Sequence, residues 1–143
     1  GLSRMNKEDR LAFDKVLRAA ACIFVTGNHD EAQESSGDLC FINELEIENV
    51  ILRHIPDTLS NHAEICGHLH PALKIKAKGR MIRRPCFIGS HRRLILPAFG
   101  TYTGGLNCND PAIASLFSEP TVRYFALGQK RLYEIGARQL CDD

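Results

Sequence analysis

A short apolar run, Cys22-Ile23-Phe24-Val25, follows directly on a helical stretch and stops at Thr26-Gly27. Leu11, Val16 and Leu17 recur at roughly helical spacing between charged residues, so 7–21 reads as a helix. The run 22–26, closed by glycine, suits a buried strand with a loop at its C-terminal end. A helix leading into a buried strand is a unit of layered α/β architecture, and the chain beyond residue 38 is dominated by strand.

Strands are predicted at 39–42 and 45–55, joined by a turn at Asn43-Glu44, and at 63–66, ended by Gly67. The acidic, Ser- and Gly-rich segment 31–38 reads as loop. Over 73–78, Leu73, Ile75 and Ala77 alternate with Lys74, Lys76 and Lys78, giving one apolar and one basic face. Strands 84–88 and 93–96 flank a turn that starts at Gly89-Ser90, and 121–127 and 131–135 flank Gly128-Gln129. Asp110 and Pro111 supply the N-cap and first residue of a short helix over 111–117. The Gly- and Thr-rich stretch 99–109 is too long for a turn. The expectation is a strand-rich α/β fold, with 1–143 forming one domain.

No apolar run approaches the roughly 20 residues of a membrane span, and Lys7, Glu8, Asp9 and Arg10 interrupt any signal-peptide core. Six cysteines occur without a C-x-x-C pair; they read as small buried hydrophobes in a reducing, cytoplasmic setting. The net charge of +1 hides a division. The first 64 residues carry 12 of the 17 acids, whereas between Ile65 and Asn109 there are none. That stretch holds Lys74, Lys76, Lys78, Arg80, Arg83, Arg84, Arg92 and Arg93. Such a basic half fits an anionic ligand, and equally fits outward, solvated positions of alternating strands.

Three strings concentrate the chemistry: Gly27-Asn28-His29-Asp30, then His54, then Gly67-His68-Leu69-His70. Each falls at or near a predicted strand end, where α/β folds place ligand sites, and together they hold four of the six histidines. Neutral imidazole is a common nitrogen donor to divalent metals, and His68 and His70 either share one ion or serve neighbouring ones. Asn28 is a neutral oxygen donor, or a turn residue tolerant of left-handed backbone. An amide and three imidazoles at successive strand ends point to metal binding.

In this order, G-N-H-D, a lone histidine and G-H-x-H resemble the last three motifs of the calcineurin-like metallophosphoesterase superfamily. Gly67-His68-Leu69-His70-Pro71-Ala72, Pro85-Cys86-Phe87 and Leu94-Ile95-Leu96-Pro97-Ala98-Phe99-Gly100 with Thr103-Gly104-Gly105 are similar to one branch, the bacterial ligase-associated DNA damage response endonucleases. The resemblance implies the C-terminal part of a four-layer αββα sandwich. It implies Asn28, His54 and His68 on a second metal, His70 on a first, His29 beside the scissile phosphate, and Asp30 orienting His29 or holding its loop. It also implies a dinuclear centre with a bridging hydroxide, the ions about 3.5 to 4 Å apart. Manganese is the first expectation for the ions, with iron, zinc and nickel as other candidates.

The family's D-x-H and G-D motifs do not occur at the start of this chain, which opens at Gly1 on the helix that comes after G-D in relatives. The expectation is therefore an active parent enzyme and a piece that lacks half the metal site. The activity implied is DNA phosphodiester or endonuclease cleavage in repair, and the family name implies association with a DNA ligase and helicase. Lys74, Lys76, Arg83, Arg84, Arg92 and Arg93 are the candidates to track a nucleic-acid backbone. Tyr102 and Phe99 are candidates to stack on a base, Phe99 with core packing as its competing role. Two other readings stand beside this one: a phosphatase or phosphodiesterase acting on small nucleotides, and a non-catalytic remnant of the fold.

Overall fold

The computed structural model describes residues 6–28, 39–100, 103–118 and 120–143. The loop expected over 31–38 lies outside the described residues. The chain opens with helix α1 (Lys7–Ala19), whose N-cap Asn6 accepts a hydrogen bond from the Asp9 N–H at 2.8 Å. Glu8 and Asp9 in its first turn and Arg18 in its last complement the helix dipole. Strand β1 (Cys22–Val25) pairs in parallel with β2 (Leu39–Ile42). Phe24 links the layers, 6.0 Å from the Phe13 ring on α1 and 5.3 Å from Phe41 on β2.

The larger sheet contains β3 (Glu44–Ile47), β4 (Val50–Arg53), β5 (Ala63–Cys66), β6 (Ala72–Ala77), β7 (Arg80–Gly89), β8 (Arg93–Ile95), β9 (Arg123–Leu127) and β10 (Leu132–Ile135). Among the described residues its order is β10-β9-β7-β8-β5-β4-β3, with β6 paired to β7. The β4–β5 and β5–β8 pairs are parallel and the remainder antiparallel, so the fold is strand-rich mixed α/β.

Several predicted boundaries are corrected. The segment read as one strand over 45–55 is a hairpin, because Glu48 adopts φ of 55° and turns β3 back on β4. The basic strand ends at Ala77, and Lys78 and Gly79, at φ of 50° and 73°, form a two-residue turn into β7. Strand β7 is ten residues long: its first half pairs with β6, and from Cys86 it pairs with β9. Pro85 marks that change of partner, where a missing N–H is tolerated. The short helix α2 (Pro111–Ala114) begins as expected, with the Asp110 carboxylate accepting from the Ala112 N–H at 2.8 Å, but ends before Phe117.

Packing is polarised along the chain. Among the described residues the fully buried apolar side chains, including Cys66, Leu73, Cys86, Ile88, Ile95, Cys108 and Ile113, all come from β5 onward. Helix α1 buries none of its residues, and Leu11, Val16 and Ile23 are exposed. Burial pushes the Cys66 thiol up to about 12, and a hydrogen bond to Cys108 together with burial pushes Cys86 up, so both stay protonated hydrophobes.

The centre of the sheet also buries a charge. Glu64 on β5 is 2% exposed and receives the Arg93 guanidinium from its register partner on β8. It also accepts from the Asp57 N–H at 3.2 Å. Arg53 of β4 stands 3.5 Å from Glu64 and 3.0 Å from Asp57, its side chain 9% exposed. Arg53 Nε is buried without a hydrogen bond, so its attraction to Glu64 is purely ionic. Removing the central carboxylate takes from the nearly buried Arg93 its paired carboxylate and leaves Arg53 to Asp57 and Glu44 at the margin of the group. Glu64→Ala is therefore expected to cost about 3–5 kcal/mol of stability, read as a lowered urea midpoint with an unchanged slope.

Candidate metal centre

Register places the site. Arg53 and Cys66 are Cα partners at the C-terminal ends of parallel strands β4 and β5, so the residues just beyond them emerge side by side. The Gly67 N–H donates to the His54 carbonyl at 3.0 Å and locks the two loop ends together. On the other side, the Thr26 N–H donates to Ile42 at 2.9 Å, and Thr26 Oγ1 bonds Asn43 Oδ1 at 2.9 Å. One residue further on, Glu44 pairs with Arg53. The end of β1 is thereby carried to the end of β4.

Asn28, His54 and His68 meet as a result. His54 Nε2 lies 3.0 Å from Asn28 Oδ1 and 3.3 Å from His68 Nδ1, with the two rings edge-on at a centroid distance of 5.2 Å. Ligands about 2.1 Å from a common ion stand about 3.0–3.4 Å apart across angles of 90–110°. The two spacings match that edge length, and all three atoms carry lone pairs when His54 Nε2 is unprotonated. An amide oxygen with two imidazoles suits manganese, iron or zinc. Among the described residues no group of three His, Cys, Asp or Glu side chains gathers for a metal; the cluster is two imidazoles and an amide.

Backbone geometry serves the cluster. His68 and His70 have φ of 67° and 48°, a left-handed conformation that costs a non-glycine residue about 1 kcal/mol or more. The Leu69 N–H closes the turn on the Gly67 carbonyl at 2.8 Å. A Cβ at Gly27 would lie 2.9–3.1 Å from three atoms of the His54 ring. Glycine there lets the imidazole sit against the Gly27-Asn28 backbone.

The remaining candidates divide. His70 lies on the wall of an adjoining cleft of about 180 Å³ with Arg83, Arg84 and Pro85. His29 and Asp30 lie outside the described residues, as does Tyr102. Arg83 donates to the Gly105 carbonyl and stands 3.8 Å from Asp143, which is also 3.9 Å from Lys74. Lys76 is exposed, and Arg92 reaches the Asn61 carbonyl on the opposite end of β5. Arg93 is turned inward: its three guanidinium nitrogens donate to Glu64, Leu116 and Asp57. Its donors serve the fold, because β8 pairing sets it directly opposite the buried Glu64.

Sequence reasoning missed Arg53, which precedes His54 and fixes it. The Leu59 N–H and the Arg53 guanidinium hold the Asp57 carboxyl below its usual range, a sign that the loop after His54 is pinned. A lone acid in the apolar strand Ala-Glu-Ile-Cys was the available signal for this ionic group.

No family model matches the chain, and no curated protein matches it. Among solved structures it is similar to the nuclease MPE of Pseudomonas putida, with a TM-score of 0.67 and 26% identity over 90% of this chain. The chain spans 60% of that nuclease's length. The likeness agrees with the coarse expectation of a nuclease-like phosphoester hydrolase fold.

Because His54 rests against Gly27, Gly27→Ala is expected to push the ring away from Asn28. Isothermal titration with Mn²⁺ should show affinity lowered on the order of tenfold, while the thermal midpoint moves little.

Proposed function

We propose that this chain contributes Asn28, His54 and His68 to the divalent-metal centre of a phosphodiesterase that cleaves nucleic acid. The observation that supports it is the convergence of Asn28 Oδ1, His54 Nε2 and His68 Nδ1 at 3.0 and 3.3 Å on the C-terminal side of the sheet. The similarity to a nuclease bears on the substrate, and the sequence resemblance bears on the ion count, taken as two with manganese preferred.

A divalent ion held by these three residues supplies Lewis-acid polarisation of a phosphoryl oxygen. The chain's own contributions are separate. His54 Nε2 either donates its proton to Asn28 Oδ1 or presents a lone pair beside His68 Nδ1, so exchange of that proton for a cation needs little rearrangement. Arg53, clamped by Glu64 and Asp57, holds the backbone from which His54 projects. His70 serves the first ion, His29 stands on the leaving-group side as proton donor or charge stabiliser, and Asp30 orients His29 or holds its loop. Lys74, Lys76, Arg83 and Arg84 form the cationic approach, giving affinity for a phosphate backbone without sequence preference.

The test uses the full-length protein with Mn²⁺. His54→Ala and His68→Ala are each expected to lower Mn²⁺ affinity at least about tenfold, followed by free-ion paramagnetic resonance. Hydrolysis of bis(p-nitrophenyl) phosphate should fall with occupancy. His29→Ala is expected to keep the metal and lose turnover. Folded His54 and His68 variants that bind manganese as the parent does would refute the assignment.

A further inference from the structure

Phe99 is the most exposed large hydrophobic side chain among the described residues, at 108% of its reference area. An isolated exposed ring is ordinary on a protein surface. Its position is what gives it meaning. The preceding residue Ala98 and the nearby Thr103 both line the cleft that holds His70, Arg83, Arg84 and Pro85. The Thr103 N–H donates to the Gly100 carbonyl at 3.4 Å, so Phe99 stands between two residues held at the cleft wall, Ala98 as part of its lining and Gly100 through Thr103. Gly105 then passes so close to the His70 carbonyl that a Cβ could not be accommodated. The rim bearing Phe99 is thus tied to the turn that carries His68 and His70.

The cleft has two kinds of wall. Arg83 and Arg84 are anchored by carbonyls, Arg83 on Gly105 and Arg84 on Arg83 itself at 3.2 Å, which orders two planar cations. Pro85, Ala98 and Ala72 supply apolar surface, and among the described residues the carboxylate nearest these cations is Asp143, 3.8 Å from Arg83 and beyond hydrogen-bond distance. Guanidinium groups favour phosphate through bidentate hydrogen bonds, and an exposed phenyl ring offers a sequence-tolerant platform for a nucleobase. A nucleotide has both halves; inorganic phosphate has only one.

We infer that this cleft and Phe99 form a subsite for the nucleotide next to the scissile phosphate, with its phosphate on Arg83 and Arg84 and its base stacked on Phe99. The inference rests on the reading of Asn28, His54 and His68 as the hydrolytic metal centre and adds a residue that positions the substrate strand. Phe99 acts on binding, not on the reacting atoms.

Binding is measured in EDTA with the full-length protein and a labelled DNA oligonucleotide containing 2-aminopurine, so the readout does not require turnover. The parent should quench 2-aminopurine at one position of the bound strand. Phe99→Ala should abolish that quench and raise Kd about tenfold, whereas Phe99→Trp should restore both. Arg84→Gln should raise Kd and reduce the salt slope of binding by about one. Manganese affinity should be unchanged in Phe99→Ala. Quenching that persists in Phe99→Ala, or oligonucleotide affinity insensitive to both substitutions, overturns the subsite. A parent that binds and quenches the oligonucleotide but hydrolyses no ester with Mn²⁺ supports the subsite and counts against the metal-centre reading instead.

Discussion

Glu64 enters the middle of the sheet as a carboxylate withdrawn from water, and three strands are ordered around it. Arg93 reaches it from β8 and Arg53 from β4, while the Asp57 N–H closes on it from the loop beyond His54. A buried pair contributes little net stability over a well-packed apolar substitute, because desolvation offsets most of the Coulomb gain. Its value here is positional. Swapping or sliding any of these strands would leave a charge unpaired, so the register Arg53 opposite Cys66 is the one in which β4 and β5 end together. The geometry of the Asn28, His54 and His68 cluster is inherited from that register.

The site itself departs from relaxed local structure. His68 and His70 sit in left-handed backbone, and Gly27 gives up its side chain to the His54 ring. Such choices cost stability locally and persist because the surrounding hydrogen bonds over-determine the turn. The Gly67–His54 and Leu69–Gly67 bonds provide that constraint, and the fully buried Leu73 and Cys66 anchor the strands on either side. Helix α1 by contrast buries nothing, and the packed core lies in the strands on either side of the His68–His70 turn.

Much of this was legible in the residues. Period-two alternation over Leu73, Ile75 and Ala77, the Gly89-Ser90 turn and the Asp110-Pro111 helix start each arise from short-range chemistry, and each appears in the structure. The convergence of Asn28, His54 and His68 was legible as a pattern of strand ends, although their spacing required the sheet register. The turn at Glu48-Asn49 was not, because nothing about glutamate announces a positive φ. Nor was the fate of Arg93, whose neighbour Arg92 looks identical in sequence; β8 pairing sends one to Glu64 and the other to the Asn61 carbonyl. Phe99 stood in an apolar string that favoured burial, and only the path of the loop puts it in solvent.

The proposed function turns on two imidazoles and an amide brought within hydrogen-bonding distance of one another. Anomalous diffraction at the manganese edge, from crystals of the metal-loaded protein, locates the ion directly. The expected result is a peak within bonding distance of Asn28 Oδ1, His54 Nε2 and His68 Nδ1. A protein saturated with manganese whose peaks all lie away from these three atoms would contradict it.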